Sequence, residues 1–277
     1  NVTLFEKSDQ LGGQLNLAKQ VPGKEEFWGL VDYYARQVEL SSINLKLNTQ
    51  ATVGDLASFD EVIIATGVLP RDPHIKGQDA HNVHSYIDVL KGKVTVGNNV
   101  AVIGAGGIGF DVAEFLVIGD DSPTENLEEW KKEWGVGSPT LTRGGLAQEG
   151  AQISEPNKQV HLLQRKAQKL GKGLGKTTGW IHRAALKMKN VQMIGGVNYE
   201  EISNKGLHIS FGEARENPTV LEVDDIVLCA GQVPYRTLFD AVSETGASVH
   251  IIGGADVASE LDAKRAINQG SRLAAKL

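Results

Sequence analysis

The stretch VAVIGAGGIGFDVAEFL, residues 100–116, constrains the fold more than any other part of the chain. Val100, Ala101, Val102 and Ile103 form an unbroken apolar run, the pattern of a strand buried on both faces. The run leads straight into Gly104-Ala105-Gly106-Gly107-Ile108-Gly109, and an amphipathic helix is expected through Ala113 and Leu116. A strand, a G-x-G-x-x-G turn and a helix in immediate succession predict a dinucleotide-binding βα unit. Gly104 makes the tight turn, Gly106 lets backbone approach a pyrophosphate, and Gly109 lets the helix pack on the strand. Gly107 and Ile108 open the helix, whose N–H groups and positive dipole end suit the phosphates.

The choice of dinucleotide is read at the tip of the next strand. Gly119–Asn157 is polar, rich in Gly, Pro and Ser, and too long for an ordinary connection, so it reads as an excursion with one short helix at Leu127–Trp134. With it set aside, the next strand is Val160-His161-Leu162-Leu163-Gln164. An NAD-selective fold carries Asp or Glu at this tip, but this chain has Arg165-Lys166. Two cations cannot accept from a ribose 2′-hydroxyl, and they do neutralise a 2′-phosphate, which points to NADPH. The plain alternative is a solvated basic strand end. GLGKTTGW at 173–180 is not a P-loop, because Leu170 stands where the first glycine of G-x-x-x-x-G-K-[ST] belongs. Lys176 is expected to add to phosphate neutralisation instead.

Strands alternating with helices run along all 277 residues: Val2–Phe5, Asn44–Leu47, Glu61–Ala65, Val100–Gly104, Val160–Gln164, Gln192–Ile194, Ile226–Ala230 and Val249–Gly253. Lys24–Leu40, Gly107–Leu116, Thr178–Lys189 and Glu260–Lys276 read as helices. This predicts an α/β fold with doubly wound parallel sheets. Arg71–Asn99, with Pro73 and several His, reads as an interdomain connection. A net charge of −6 argues against a nucleic-acid surface, and no apolar run approaches the roughly 18 residues of a membrane span. The single Cys229 cannot form an internal disulfide, a Cys-x-x-Cys pair or an iron–sulfur site, and its apolar run makes it a buried strand residue.

The chain opens NVTLFEKSDQLGGQ. Val2–Phe5 reads as the second strand of another dinucleotide unit, with Glu6 as its ribose acid. The matching glycine-rich turn belongs roughly 20 residues earlier, so a chain that starts here is expected to continue upstream. Phe59–Gly67 is a strand ending in Ala65-Thr66-Gly67 with Pro70 behind it. Val223–Gly231, followed by Pro234, repeats that form. The chain is thus expected to leave one domain and return to it, with Val249–Asp256 delivering an acid at a strand tip. The expected domains are 1–95, a first segment of the outer nucleotide domain with its connection; 96–231, the NADPH domain; and 232–277, the second segment of the outer domain.

That order resembles the two-dinucleotide flavoprotein reductases, in which an NAD(P)H domain is inserted into a FAD domain. FEKSDQLGGQLNLAKQVPGKEEF, the Gln-Arg-Lys strand end, GLGKTTGWIHR and IIGGADVASELDAKRAINQG look like the C-terminal portion of the bacterial NADPH-dependent 2,4-dienoyl-CoA reductases, over the whole chain. The resemblance implies two Rossmann-like domains, the FAD domain lacking its N-terminal strand here. It implies an N-terminal TIM-barrel portion of the same polypeptide holding FMN, a 4Fe–4S centre and the enoyl-CoA site, in a cytoplasmic protein. FAD would be held by Glu6, Gly13, Gln14, Lys24, Ala51, Ala65, Thr66, Gly67, Gly254 and Asp256. NADPH would be held by Gly104, Gly106, Gly107, Ile108, Gly109, Arg165, Lys166 and Lys176. No catalytic residue and no metal ligand is expected in this chain, and His182 reads as a packing or solvent residue. A related reading is a structural, ADP-binding module of the trimethylamine or histamine dehydrogenase kind. Without its first turn, the isolated FAD site is expected to bind weakly, whereas the NADPH unit should be self-contained.

Overall fold

The computed structural model describes residues 1–119, 122–259 and 262–277. The chain begins β1 (Thr3–Phe5), α1 (Leu15–Ala18), α2 (Glu26–Leu40), β2 (Asn44–Lys46), α3 (Val53–Leu56), β3 (Val62–Ile64) and β4 (Val68–Pro70). It continues through β5 (Val83–Ser85), α4 (Tyr86–Leu90), β6 (Asn99–Ile103), α5 (Gly107–Ile118) and α6 (Leu127–Trp134). Then follow β7 (Gln159–Gln164), α7 (Gly179–Met188), β8 (Gln192–Gly195), β9 (Val197–Ser203), β10 (Gly206–Phe211), β11 (Glu216–Leu221) and β12 (Asp225–Leu228). The last elements are β13 (Gln232–Pro234), α8 (Thr237–Ser243), β14 (Val249–Ile251) and α9 (Ala263–Ala274). The expected start of the final helix at Glu260 lies outside the described residues.

Two compact units form. One comprises Asn1–Asn16, Phe27–Arg71 and Gly231–Leu277; the other comprises Leu17–Glu26 and Asp72–Ala230. The second unit is a five-stranded, wholly parallel sheet in the order β5-β12-β6-β7-β8. Its central strand β6 shows why an apolar run was required. Val100 and Val102 pack in one cluster with Phe110, Val112 and Leu162, while Ala101 and Ile103 pack in the opposite cluster with Leu163 and Ile226. Alternate side chains therefore enter two separate cores, and a polar residue at any of these positions would be buried without water.

The second core is closed by an antiparallel meander, β9-β10-β11, whose Val197, Ile202, Leu207 and Ile209 cover that sheet face. Sequence reading placed no strands there. Glu200, Glu201 and Lys205 interrupt the apolar pattern because only one face of the meander is buried. The stretch expected as an interdomain connection also has a different role. Its residues Val83–Ser85 form the edge strand of the parallel sheet, and Tyr86, Val89 and Leu90 join the first core.

The first unit holds three pairs: β1 with β2 and β3 with β14, both parallel, and β4 with β13, antiparallel. The last pair brings the two Pro-bearing segments together, with Leu69 opposite Val233 and Arg71 N donating to Gly231 O at 3.0 Å. The chain therefore leaves and re-enters this unit on adjacent strands. Phe5 meets Phe59 edge to face, with ring centres 6.1 Å apart, and packs with Val62, Ile64 and Val249. Among the described residues no helix is long and apolar enough to cross a membrane.

Candidate functional site

The turn between β6 and α5 has two kinds of glycine, distinguished by the space around them. Gly104 has φ 114°, and a Cβ there would lie 2.2 Å from Cys229 O. A Cβ on Gly109 would lie 1.7 Å from Gly104 O. Both are closed by backbone. Gly106 and Gly107 have nothing within 4 Å of the Cβ direction. The turn is thus tight on its protein side and open at the α5 N-terminus. No side chain caps that end, and no acid occupies the first helical turn. An uncapped N-terminus behind bare backbone is a cradle for phosphate oxygens. Ile108 is partly buried against the first core and anchors the first turn.

At the adjacent strand tip, Arg165 and Lys166 are exposed, as is Lys176 farther along the loop. None of the ion pairs among the described residues uses these three cations. From Pro156 to Tyr199 the chain carries no acidic residue at all. The tip of β7 therefore presents uncompensated positive charge on the edge of the sheet that also carries the Gly104–Gly109 turn.

Lys24 lies in this same unit, where its Nζ is 2.7 Å from both carboxylate oxygens of Asp111 on α5. One turn further along α5, Glu114 is buried and accepts from, or shares a proton with, His182 Nδ1 on α7 at 2.7 Å. Burial pushes the Glu114 carboxyl above its ordinary range, and the bond to Glu114 raises the His182 imidazole. His182 is thus a half-buried residue paired with a buried acid across two helices, more specific than the packing or solvent role expected for it. Cys229 is buried at the end of β12, and its burial raises the thiol pKa.

In the first unit, Glu6 follows β1 directly, and its Oε1 accepts from Ser8 N at 2.8 Å. Gly12 and Gly13 both have positive φ, 116° and 49°, and Gln14 is exposed beyond them. Ala51 packs in the local core. Ala65 and Thr66 follow β3, and the Thr66 hydroxyl donates to Tyr235 O while Gly67 O accepts from Tyr235 N at 3.0 Å. Gly254 is buried and Asp256 follows it; Gln269 Nε2 on α9 donates to Asp256 Oδ2 at 2.9 Å. Because β3 and β14 are parallel, Ala65–Gly67 and Gly254–Asp256 emerge at one sheet edge, the carboxyl-end position that ligands use in α/β folds.

The second unit fits a dinucleotide fully, with an open glycine turn, a bare helix end and unpaired cations at the neighbouring tip. In the first unit, Glu6 at the end of β1 and Asp256 beyond the tip of β14 are the acids that would face a nucleotide. Among the described residues, no group of His, Cys, Asp and Glu could hold a metal ion. The residue missed by sequence reading is Gln164, whose side chain folds back onto the loop behind it. A neutral amide directly before Arg165-Lys166 was the available signal.

The profile of the pyridine nucleotide-disulphide oxidoreductase family matches residues 2–264. The chain is 27% identical over 260 residues to a metal reductase of Desulforamulus reducens, covering 92% of this chain and 37% of that protein. It superposes on a 2-naphthoyl-CoA reductase with a TM-score of 0.78 at 25% identity, covering 100% of this chain and 36% of the other. Histamine dehydrogenase from Rhizobium sp. 4-9 shares the fold, with a TM-score of 0.70 at 18% identity over 100% of this chain and 40% of the other. The chain thus spans well under half the length of each of these relatives.

Proposed function

The chain belongs to the pyridine nucleotide-disulphide oxidoreductase family, and from that premise we propose that it is the electron-input module of an NADPH-dependent flavoprotein reductase of the 2,4-dienoyl-CoA reductase type. The observation that carries this reading is the unit built by β6, α5 and β7. An uncapped helix end and open Gly106 face the pyrophosphate position, while Arg165 and Lys166 stand unpaired where an NAD-selective fold has an acid. Similarity to a metal reductase and to a 2-naphthoyl-CoA reductase supports a reductase of several cofactors. A module that passes electrons to a CoA-thioester site in another part of its polypeptide, through an iron–sulfur centre and FMN, is the specific form we favour.

The bound nicotinamide and flavin supply the hydride and electron chemistry; the residues of this chain bind and orient. The α5 N-terminus would hold the pyrophosphate. Gly104 and Gly109 keep the backbone close enough for that contact, and Arg165, Lys166 and Lys176 neutralise the 2′-phosphate. Glu6 would accept from the FAD ribose, and Asp256, held by Gln269, would lie at the second strand tip.

Anaerobic titration of the full-length protein tests the reading. Its flavin should bleach with NADPH and much less readily with NADH. Equal bleaching by both removes the case for Arg165-Lys166. A full-length protein whose flavin neither nucleotide bleaches favours the structural ADP-binding module.

A further inference from the structure

The loop behind β7 is held in shape by the residue at the strand tip itself. Gln164 Nε2 donates to Lys166 O at 2.8 Å and to Gln168 O at 2.5 Å. Gln164 directly precedes Arg165-Lys166, the strand tip at which an NAD-selective fold carries a carboxylate for the ribose hydroxyls. A carboxylate could not make these contacts, because it would set acceptor oxygens against two carbonyl oxygens. The amide is also neutral, so it leaves the adjoining cations without a counter-charge.

The rest of the loop is pinned as well. Leu170 is buried in the first core, and Gly171 (φ 68°) lies against Phe110, where a Cβ would meet the ring at 2.8 Å. Arg183 Nη1 donates to Gly171 O at 3.1 Å. Gly195, at the end of β8, admits the loop: a Cβ there would lie 3.3 Å from Lys166 O. Unpaired cations on a slack segment would spread by mutual repulsion. Here Arg165, Lys166 and Lys169 are carried on backbone fixed from both ends, with Gln164 holding the part nearest the strand.

We infer that Gln164 is the positioning residue for 2′-phosphate selectivity. Its two donated bonds pre-set the backbone of Lys166 and Gln168, so that the cations need no ordering when a ribose phosphomonoester arrives. The inference rests on the NADPH reading above and extends it to a residue that touches the loop rather than the ligand.

The test uses full-length protein and two redox-inert probes, 2′,5′-ADP and 5′-AMP, followed by calorimetry, with melting temperature as a control. Wild type should prefer 2′,5′-ADP. Gln164→Met, similar in length but without a donor, should lose about tenfold of that preference while 5′-AMP affinity is kept. Gln164→Glu should lose more and raise the ratio of kcat/KM for NADH to that for NADPH. A wild type with no preference overturns the NADPH reading itself. A wild-type preference retained in full by Gln164→Met overturns only the role of Gln164. Parallel loss of both probes in both variants, with lowered melting temperatures, assigns Gln164 a purely structural role and also overturns the inference.

Discussion

His182 Nδ1 on α7 lies 2.7 Å from Glu114 Oε1 on α5, and the Glu114 carboxyl is buried. The pair joins the helix that follows the glycine turn to the helix that follows the cationic loop. Both groups are raised above their ordinary ranges, Glu114 by burial and His182 by its bond to Glu114, so the pair retains its shared proton to higher pH than a free histidine does. A raised folded-state pKa stabilises fully below the ordinary histidine value, about 6.5, and the contribution fades as pH rises through the raised value. Urea denaturation should therefore show stability falling from pH 6 toward pH 8.5. His182→Ala should cost about 1–2 kcal/mol at pH 6 and flatten that slope.

Lys189 and Glu133 form a second buried pair. Lys189 Nζ is 2.5 Å from Glu133 Oε1 and also donates to Ser154 O at 3.1 Å, which ties α6 and the last part of the excursion to the C-terminus of α7. Glu133→Leu leaves an ammonium with no counter-charge and should destabilise the protein by about 3–5 kcal/mol. The double variant Glu133→Leu with Lys189→Met should recover most of that loss. Thermal melts of the three proteins check this.

The glycines of the turn should separate folding from binding. Gly109→Ala drives a methyl into Gly104 O and should lower the melting temperature and abolish nucleotide binding together. Gly106→Ala meets no protein atom within 4 Å and keeps an allowed backbone, φ −84°. It should cost about 1 kcal/mol or less in stability. Its binding of NADPH should weaken by about tenfold, since the methyl would fill the open space where the pyrophosphate is proposed to lie.

Cys229 should be inert in the native protein. Its thiol is buried and its pKa raised, so the thiolate that reacts with alkylating or disulfide reagents is scarce. The Cys229 thiol, followed by mass spectrometry of its peptide, should become reactive in urea at the same midpoint as the loss of secondary structure. Rapid labelling in native buffer would contradict this placement.

The parallel sheet and the glycine turn were legible because each depends on residues adjacent in sequence. Val100–Ile103 is apolar at every position, and Gly104, Gly106 and Gly109 follow at the spacing of one turn. The short helix Leu127–Trp134 was also legible, from its own amphipathic pattern and the Gly135 that ends it with φ 65°. The meander Val197–Leu221 was not, because charged residues on its open face obscure the buried one. Nor was the place of Lys24, which the resemblance put on FAD but which pairs here with Asp111, distant in sequence.

The sequence by itself determined the βα unit, its cationic strand tip and the exit and return of the chain, since local spacing, charge and turn chemistry decide these. Tertiary structure alone decided which groups meet across the fold: Glu114 with His182, Lys189 with Glu133, and the Gln164 amide with Lys166 O and Gln168 O. Hydrogen-bond geometry and burial set these pairings. They depend on how strands and helices pack and on where a loop folds back, which the order of residues does not display.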